Sequence, residues 1–124
     1  MIKVFPGYKA VAEKELEEIK KFVNHNHAVL DVGCGFGRAM KELAPFCEKV
    51  VGIDVDSKEI EIAKDYLKGI ENVGLFVGNA TKTSFPPESF DIILLLGNTF
   101  GNVGKEKYDV LEEMKRLLNL QKKS

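Results

Sequence analysis

Hydrophobic positions along the chain fall into two kinds of run. Four stretches are short and nearly unbroken: Val29-Leu30-Asp31-Val32, Lys49 to Ile53, Leu75-Phe76-Val77 and Phe90 to Leu96. Between and around them the apolar residues return at helical spacing. Ala12, Leu16, Ile19 and Val23 form one stripe, Ala39, Met40, Leu43 and Ala44 a second, Ile60, Ala63 and Leu67 a third, and Leu111, Met114 and Leu118 a fourth. Polar breaks separate them: Asn24 to His27, Pro45, Gly69 and the Pro86-Pro87 loop. Asp56 or Ser57 is placed to cap the third helix. Residues 2–5 are apolar but short, broken off by Pro6-Gly7, and are not counted as a strand.

Continuous apolar strands alternating with helices predict an α/β fold, a parallel sheet covered on both faces. Right-handed crossovers then fix the winding, and a switch point between the first and fourth strands, where the ligand loops converge, predicts the order 3-2-1-4, all parallel. The length of 124 residues suits a single domain, 1–124.

Ligands of such sheets bind beyond the carboxyl ends of the strands, and each of these strands ends in usable chemistry. The first runs into Asp31-Val32-Gly33-Cys34-Gly35-Phe36-Gly37, a glycine loop feeding a helix. Glycines there let a ligand lie against bare backbone, and the helix start favours a negative group. The second strand ends in Asp54, about twenty residues beyond the loop, where an acid takes the two ribose hydroxyls. The third ends in Gly78-Asn79-Ala80, with an amide able to pair with an adenine edge, and the fourth in Leu96-Gly97-Asn98. The loop is neither G-x-G-x-x-G, because Gly37 comes one residue early, nor a P-loop, because G-K-[ST] is missing.

What stands there, D-x-G-x-G-x-G, resembles motif I of the class I S-adenosylmethionine-dependent methyltransferases. VVGIDVDSKEIEIAK is similar to their motif II, GNATKTSFPPESFD to motif III and its run-in, and IILLLGNTFGN to motif IV. The resemblance implies a Rossmann-like fold and S-adenosylmethionine as cofactor, with S-adenosylhomocysteine as product. Carried over by position, Gly33, Cys34, Gly35 and Gly37 line the methionine part and Asp31 supports its ammonium. Asp54 holds the ribose, Val55 packs on the adenine, Asn79 and the Ala80 backbone read the adenine edge, and Leu96 and Asn98 at the end of the fourth strand are further cofactor-binding positions. Many relatives carry Asp at the position of Asn79, and Asn offers the same carbonyl acceptor. Motif IV lacks the Asn-Pro-Pro-aromatic signature of nucleic-acid amino-methylating enzymes. Its Gly-Asn-Thr-Phe run is more similar to small-molecule N-methyltransferases of the glycine type, which implies a small-molecule acceptor.

Composition narrows the classes. Net charge is −1, so no basic field argues for nucleic acid. No apolar run approaches the ~20 residues of a membrane span and no signal-peptide pattern is present, so no membrane association is expected. Cys34 and Cys47 show no metal-site spacing and read as reduced thiols, which points to the cytoplasm. Cys34 has no histidine near it in the sequence reading, which excludes a cysteine nucleophile. His25 and His27 read as surface residues of a polar turn, and Asp91 as the start of a strand.

The chain departs from the family in one respect. The family sheet has seven strands, and the last three have no counterpart here. No general base is identifiable. A second reading is therefore a truncated module that binds S-adenosylmethionine or S-adenosylhomocysteine without turnover of its own, completed by a partner chain. A nicotinamide dehydrogenase is a third reading, weakened by the glycine spacing. An apolar fourth strand without its outer neighbour predicts a homodimer or partner chain at that edge.

Overall fold

A computed structural model describes residues 2–5, 13–96 and 104–119. In chain order the elements are β1 (Ile2–Phe5), α1 (Glu13–Lys20), β2 (Ala28–Val32), α2 (Arg38–Leu43) with a 3-10 turn (Ala44–Phe46), β3 (Lys49–Asp54), α3 (Ser57–Tyr66), β4 (Val73–Val77), β5 (Ile92–Leu96) and α4 (Gly104–Leu117). Pro6, Gly7, Ala12, Gly97 and Asn98 lie outside the described residues.

The predicted strands are β2, β3, β4 and β5, and they order as expected: β4-β3-β2-β5, every pair parallel. The sheet nevertheless has five strands, because β1 pairs in parallel with the outer edge of β5, Ile2 opposite Ile93 and Phe5 opposite Leu96. This corrects the count of four, and it removes the open fourth-strand edge on which a dimer or partner was predicted. Four residues carrying a lysine show too little periodicity to announce a strand. The ladder offered by β5 makes them one.

Alternation along the strands divides the core into two layers. Val29, Val50, Ile92 and Leu94 face Leu16, Ile19, Met40, Leu43, Ile60 and Leu67. Leu30, Val32, Val51, Ile53, Ile93 and Leu95 face Phe90, Val110, Met114 and Leu117. Helices α1, α2 and α3 thus cover one face and α4 the other. Burying a Leu, Val or Ile side chain stabilises by about 1.5–3 kcal/mol, and β2 is buried along its whole length.

Three polar side chains are buried with the core: His27, Asp31 and Asp91. His27 corrects the surface reading. Its Nδ1 accepts the Asn24 N–H at 3.2 Å while its backbone N–H donates to the Asn24 carbonyl at 3.0 Å, so the turn closes around the ring. Asp91 sits just before β5. Its Oδ2 accepts the Ala28 N–H at 2.7 Å and its N–H donates to the Ala28 carbonyl at 2.8 Å, clamping the starts of β2 and β5 together.

Candidate functional site

At the carboxyl ends of β2, β3 and β4 the chain is laced together by backbone hydrogen bonds. The N–H groups of Gly33 and Cys34 both donate to the Ile53 carbonyl, at 2.8 and 3.2 Å, which seats the glycine loop on β3. The Gly78 N–H donates to the Asp54 carbonyl at 3.0 Å, which draws in the end of β4. Three sequence-predicted groups, the glycine loop, Asp54 and the Asn79 turn, therefore converge on one rim.

Within the loop, Gly33, Gly35 and Gly37 have φ of 77°, 57° and 94°. Such values favour glycine, and at Gly37 the constraint is doubled. It stands directly before α2, and a Cβ on it would lie 2.8 Å from Leu67 Cδ1. A Cβ on Gly35, in contrast, would meet nothing nearer than Glu59 Oε2 at 4.0 Å. Bare backbone with open space in front of it is the cradle a closely approaching ligand needs.

Asp54 is the fastener of the site. Its Oδ2 accepts the Gly35 N–H and its Oδ1 the Asp56 N–H, both at 2.9 Å. Asp56 in turn caps α3 by accepting the Lys58 N–H at 2.9 Å. Each carboxylate oxygen has a further lone pair, so Asp54 still has acceptor capacity for a vicinal diol. The next residue, Val55, is 71% exposed, an aliphatic surface beside that acid.

Asp31 is buried, and its carboxyl is pushed up from the ordinary 3.8 to about 7, first by desolvation and then by the charge of Asp54. A cation placed beside the two acids reverses that balance. Cys34 is buried too. Loss of solvent, then the charges of Asp31 and Asp54, push its thiol far above the usual range, which leaves it an unreactive space-filler.

Asn79 is exposed and Ala80 buried. Asn79 Oδ1 accepts both the Thr81 N–H at 2.9 Å and the Thr81 hydroxyl at 2.8 Å. The acceptor expected to face an adenine amine is thus already engaged in the turn. Leu96 ends β5. Sequence reasoning missed Thr81, although Asn-x-Thr is a turn signal. It also missed the clamp beyond it, where Glu113 Oε2 on α4 accepts from Thr83 N–H at 2.8 Å and Oγ1 at 2.6 Å. Arg116 joins that clamp through Glu113 at 2.7 Å and the Phe85 carbonyl at 2.9 Å.

These groups fit S-adenosylmethionine: a Cβ-free cradle, a buried acid whose ionisation awaits a cation, and an acid with spare acceptor capacity next to an exposed aliphatic surface. Among the described residues, no helix is long and apolar enough to cross a membrane.

Comparison with known proteins agrees with this geometry. A family model described as a methyltransferase domain matches residues 29–121. The uncharacterized methyltransferase YcgJ of Bacillus subtilis is 33% identical over 94 residues, covering 73% of this chain and 37% of its own length. Its crystal structure superposes with a TM-score of 0.76 at 28% identity, over 86% of this chain and 46% of that one. A probable cobalt-precorrin-6B C(15)-methyltransferase of Methanobrevibacter smithii is 30% identical over 117 residues, 92% of this chain and 60% of its own. A crystal structure of a SAM-dependent methyltransferase from Methanosarcina mazei gives a TM-score of 0.73 at 29% identity, over 82% of this chain and 51% of that one. The chain thus spans about 37% to 60% of the length of these curated relatives. With strand order, glycine loop and matched residues in agreement, the chain belongs to the methyltransferase domain family.

Proposed function

We propose that this chain transfers a methyl group from S-adenosylmethionine to a small molecule, at the rim formed by β2, β3, β4 and β5. The observation that carries the reading is the joint seating of the glycine loop and Asp54, with Gly35 N–H on Asp54 Oδ2. It presents open backbone and a carboxylate as one preorganised surface. When bound, the cofactor supplies an electrophilic methyl on a sulfonium. The chain's own residues supply orientation, which is worth much of the barrier in such transfers. Gly33, Cys34, Gly35 and Gly37 line the methionine part, with Asp31 opposite its ammonium. Asp54 takes the ribose hydroxyls, Val55 packs on the base, and Asn79 and the Ala80 backbone meet its edge.

A net charge of −1 supports a small-molecule acceptor over nucleic acid, and two buried thiols support a cytoplasmic setting. The alternative reading is a cofactor-binding module whose acceptor pocket a partner completes. Such a partner, a second copy included, has to approach elsewhere than the outer edge of β5, which β1 occupies.

Titration calorimetry with S-adenosylhomocysteine and with NAD tests the binding half. Saturable binding of the first and none of the second is expected, and the reverse would overturn the reading. Transfer of labelled methyl to a panel of small amines, acids and thiols, by the chain alone, separates turnover from binding without it.

A further inference from the structure

The hydrogen bonds of Asn79 set its polarity. A backbone N–H can only donate, so the Thr81 N–H fixes which end of the Asn79 amide turns toward the loop: the oxygen. The Thr81 hydroxyl donates to the same oxygen. An amide oxygen has two lone pairs, and both are taken. What remains for a ligand is Nδ2, a donor with no acceptor among the described residues. An adenine presents a donor at its 6-amino group, so amine and amide meet donor to donor. A 6-oxo purine presents an acceptor at the same place.

For Asn79 to accept from the amine, one Thr81 bond has to be given up. The N–H is held by the backbone of the turn, whereas the hydroxyl rotates freely and finds water at a half-buried site. We propose that Thr81 is a specificity-determining residue: its hydroxyl competes with the cofactor's 6-amino group for Asn79 Oδ1. The competition weakens binding of the adenine cofactor and narrows the preference for adenine over a 6-oxo base. An aspartate at 79 escapes it, because one oxygen can hold the turn while the other faces the amine. This inference rests on the placement of the base at Asn79 under the proposed function.

Calorimetric affinities for S-adenosylhomocysteine and S-inosylhomocysteine, measured on the full chain and on Thr81→Ala, Asn79→Asp and the double variant, test it. Thr81→Ala keeps the N–H and removes the hydroxyl together with the γ-methyl. It is expected to tighten the adenosyl ligand roughly two- to tenfold, the scale of one hydrogen bond, and to leave the inosyl ligand unchanged. Asn79→Asp is expected to tighten the adenosyl ligand by a similar factor and to weaken the inosyl ligand, whose 6-oxo group loses the Nδ2 donor, and the double variant to gain nothing for the adenosyl ligand beyond Asn79→Asp. A Thr81→Ala variant that weakens the adenosyl ligand, leaves it unchanged, or shifts both ligands equally overturns the proposal. Should Thr81→Ala fail to fold, an Asn79→Asp variant with an unchanged adenosyl-to-inosyl ratio overturns it as well. Wild-type protein that binds neither ligand removes the base site itself; binding with an unmoved ratio removes only the role of Thr81.

Discussion

The Gly35 N–H and Asp54 Oδ2 lie 2.9 Å apart, so the acid proposed to take the ribose hydroxyls also holds the glycine loop in shape. Removing it has two effects. Asp54→Ala is expected to weaken S-adenosylhomocysteine by at least about tenfold, since hydrogen bonds to a charged acceptor contribute roughly 1.5–3 kcal/mol. It also frees the Gly35 and Asp56 N–H groups, so the thermal midpoint falls. Equal affinity for variant and wild type in calorimetry would refute the ribose assignment.

Asp31 makes stability depend on pH in an unusual direction for an acid. Its folded carboxyl keeps its proton to about pH 7, while the unfolded one loses it near 3.8. The folded state therefore binds more protons between these values, and stability falls as pH rises from about 4 to about 7, then levels off. Asp31→Asn should abolish that slope in urea titrations. The cofactor's ammonium favours the ionised acid, so binding at pH 6 should release a proton. Calorimetry in two buffers of different ionisation heat measures it, and a proton count of zero at pH 6 counts against Asp31 as the ammonium's partner.

Gly52 on β3 lies under the loop with no room for a side chain. A Cβ there would sit 2.5 Å from Met40 Sδ and 2.7 Å from Cys34 Sγ. Gly52→Ala should destabilise by about 1–3 kcal/mol, the cost of overpacking a filled core. The urea midpoint should drop with the slope unchanged; a midpoint equal to that of the wild type would show that the loop and α2 give way easily.

Glu113 ties the Thr83 segment to α4. Arg116 above all, then the hydrogen bonds from Thr83, hold its carboxyl down at about 2. Its contribution to stability is present above the ordinary value of 4.5 and fades as pH falls from there toward 2. Glu113→Gln should remove that component of acid unfolding. It should also speed exchange of the Thr83 amide by about tenfold, a local opening rather than a global one. Unchanged exchange would mean that the segment is held by Phe85 and its ring contacts with Phe76 and Phe90 instead.

Much of this architecture was legible because the central parts of β2, β3 and β5 are buried on both faces and so are almost entirely apolar. Their order followed from setting the switch point between the first and fourth strands, where the loops that could hold a ligand converge. The glycine loop and Asp54 were legible because the spacing between them is dictated by one helix and one strand. What stayed hidden depends on partners far apart in sequence. Ile2–Phe5 has no signature without the edge of β5, and Thr83 and Glu113 meet across about thirty residues. His27 misled because a polar turn ordinarily faces water, and here the turn folds over its own ring. Asn79 was legible as the residue that follows the third strand, but its polarity was set by Thr81, a neighbour whose hydroxyl carries no periodic signal.

The pairing of β1 with β5 has a kinetic side. Ile2 and Ile93 stand roughly ninety residues apart in sequence, and no local contact helps to bring them together. High contact order of this kind makes the ladder a late event in folding. Until it forms, β5 presents Ile92 to Leu95 along an unpaired edge, the arrangement that recruits other chains. The vulnerable species is therefore the nearly folded intermediate. Refolding yield should fall with protein concentration even where the native state, its edge already closed, does not associate.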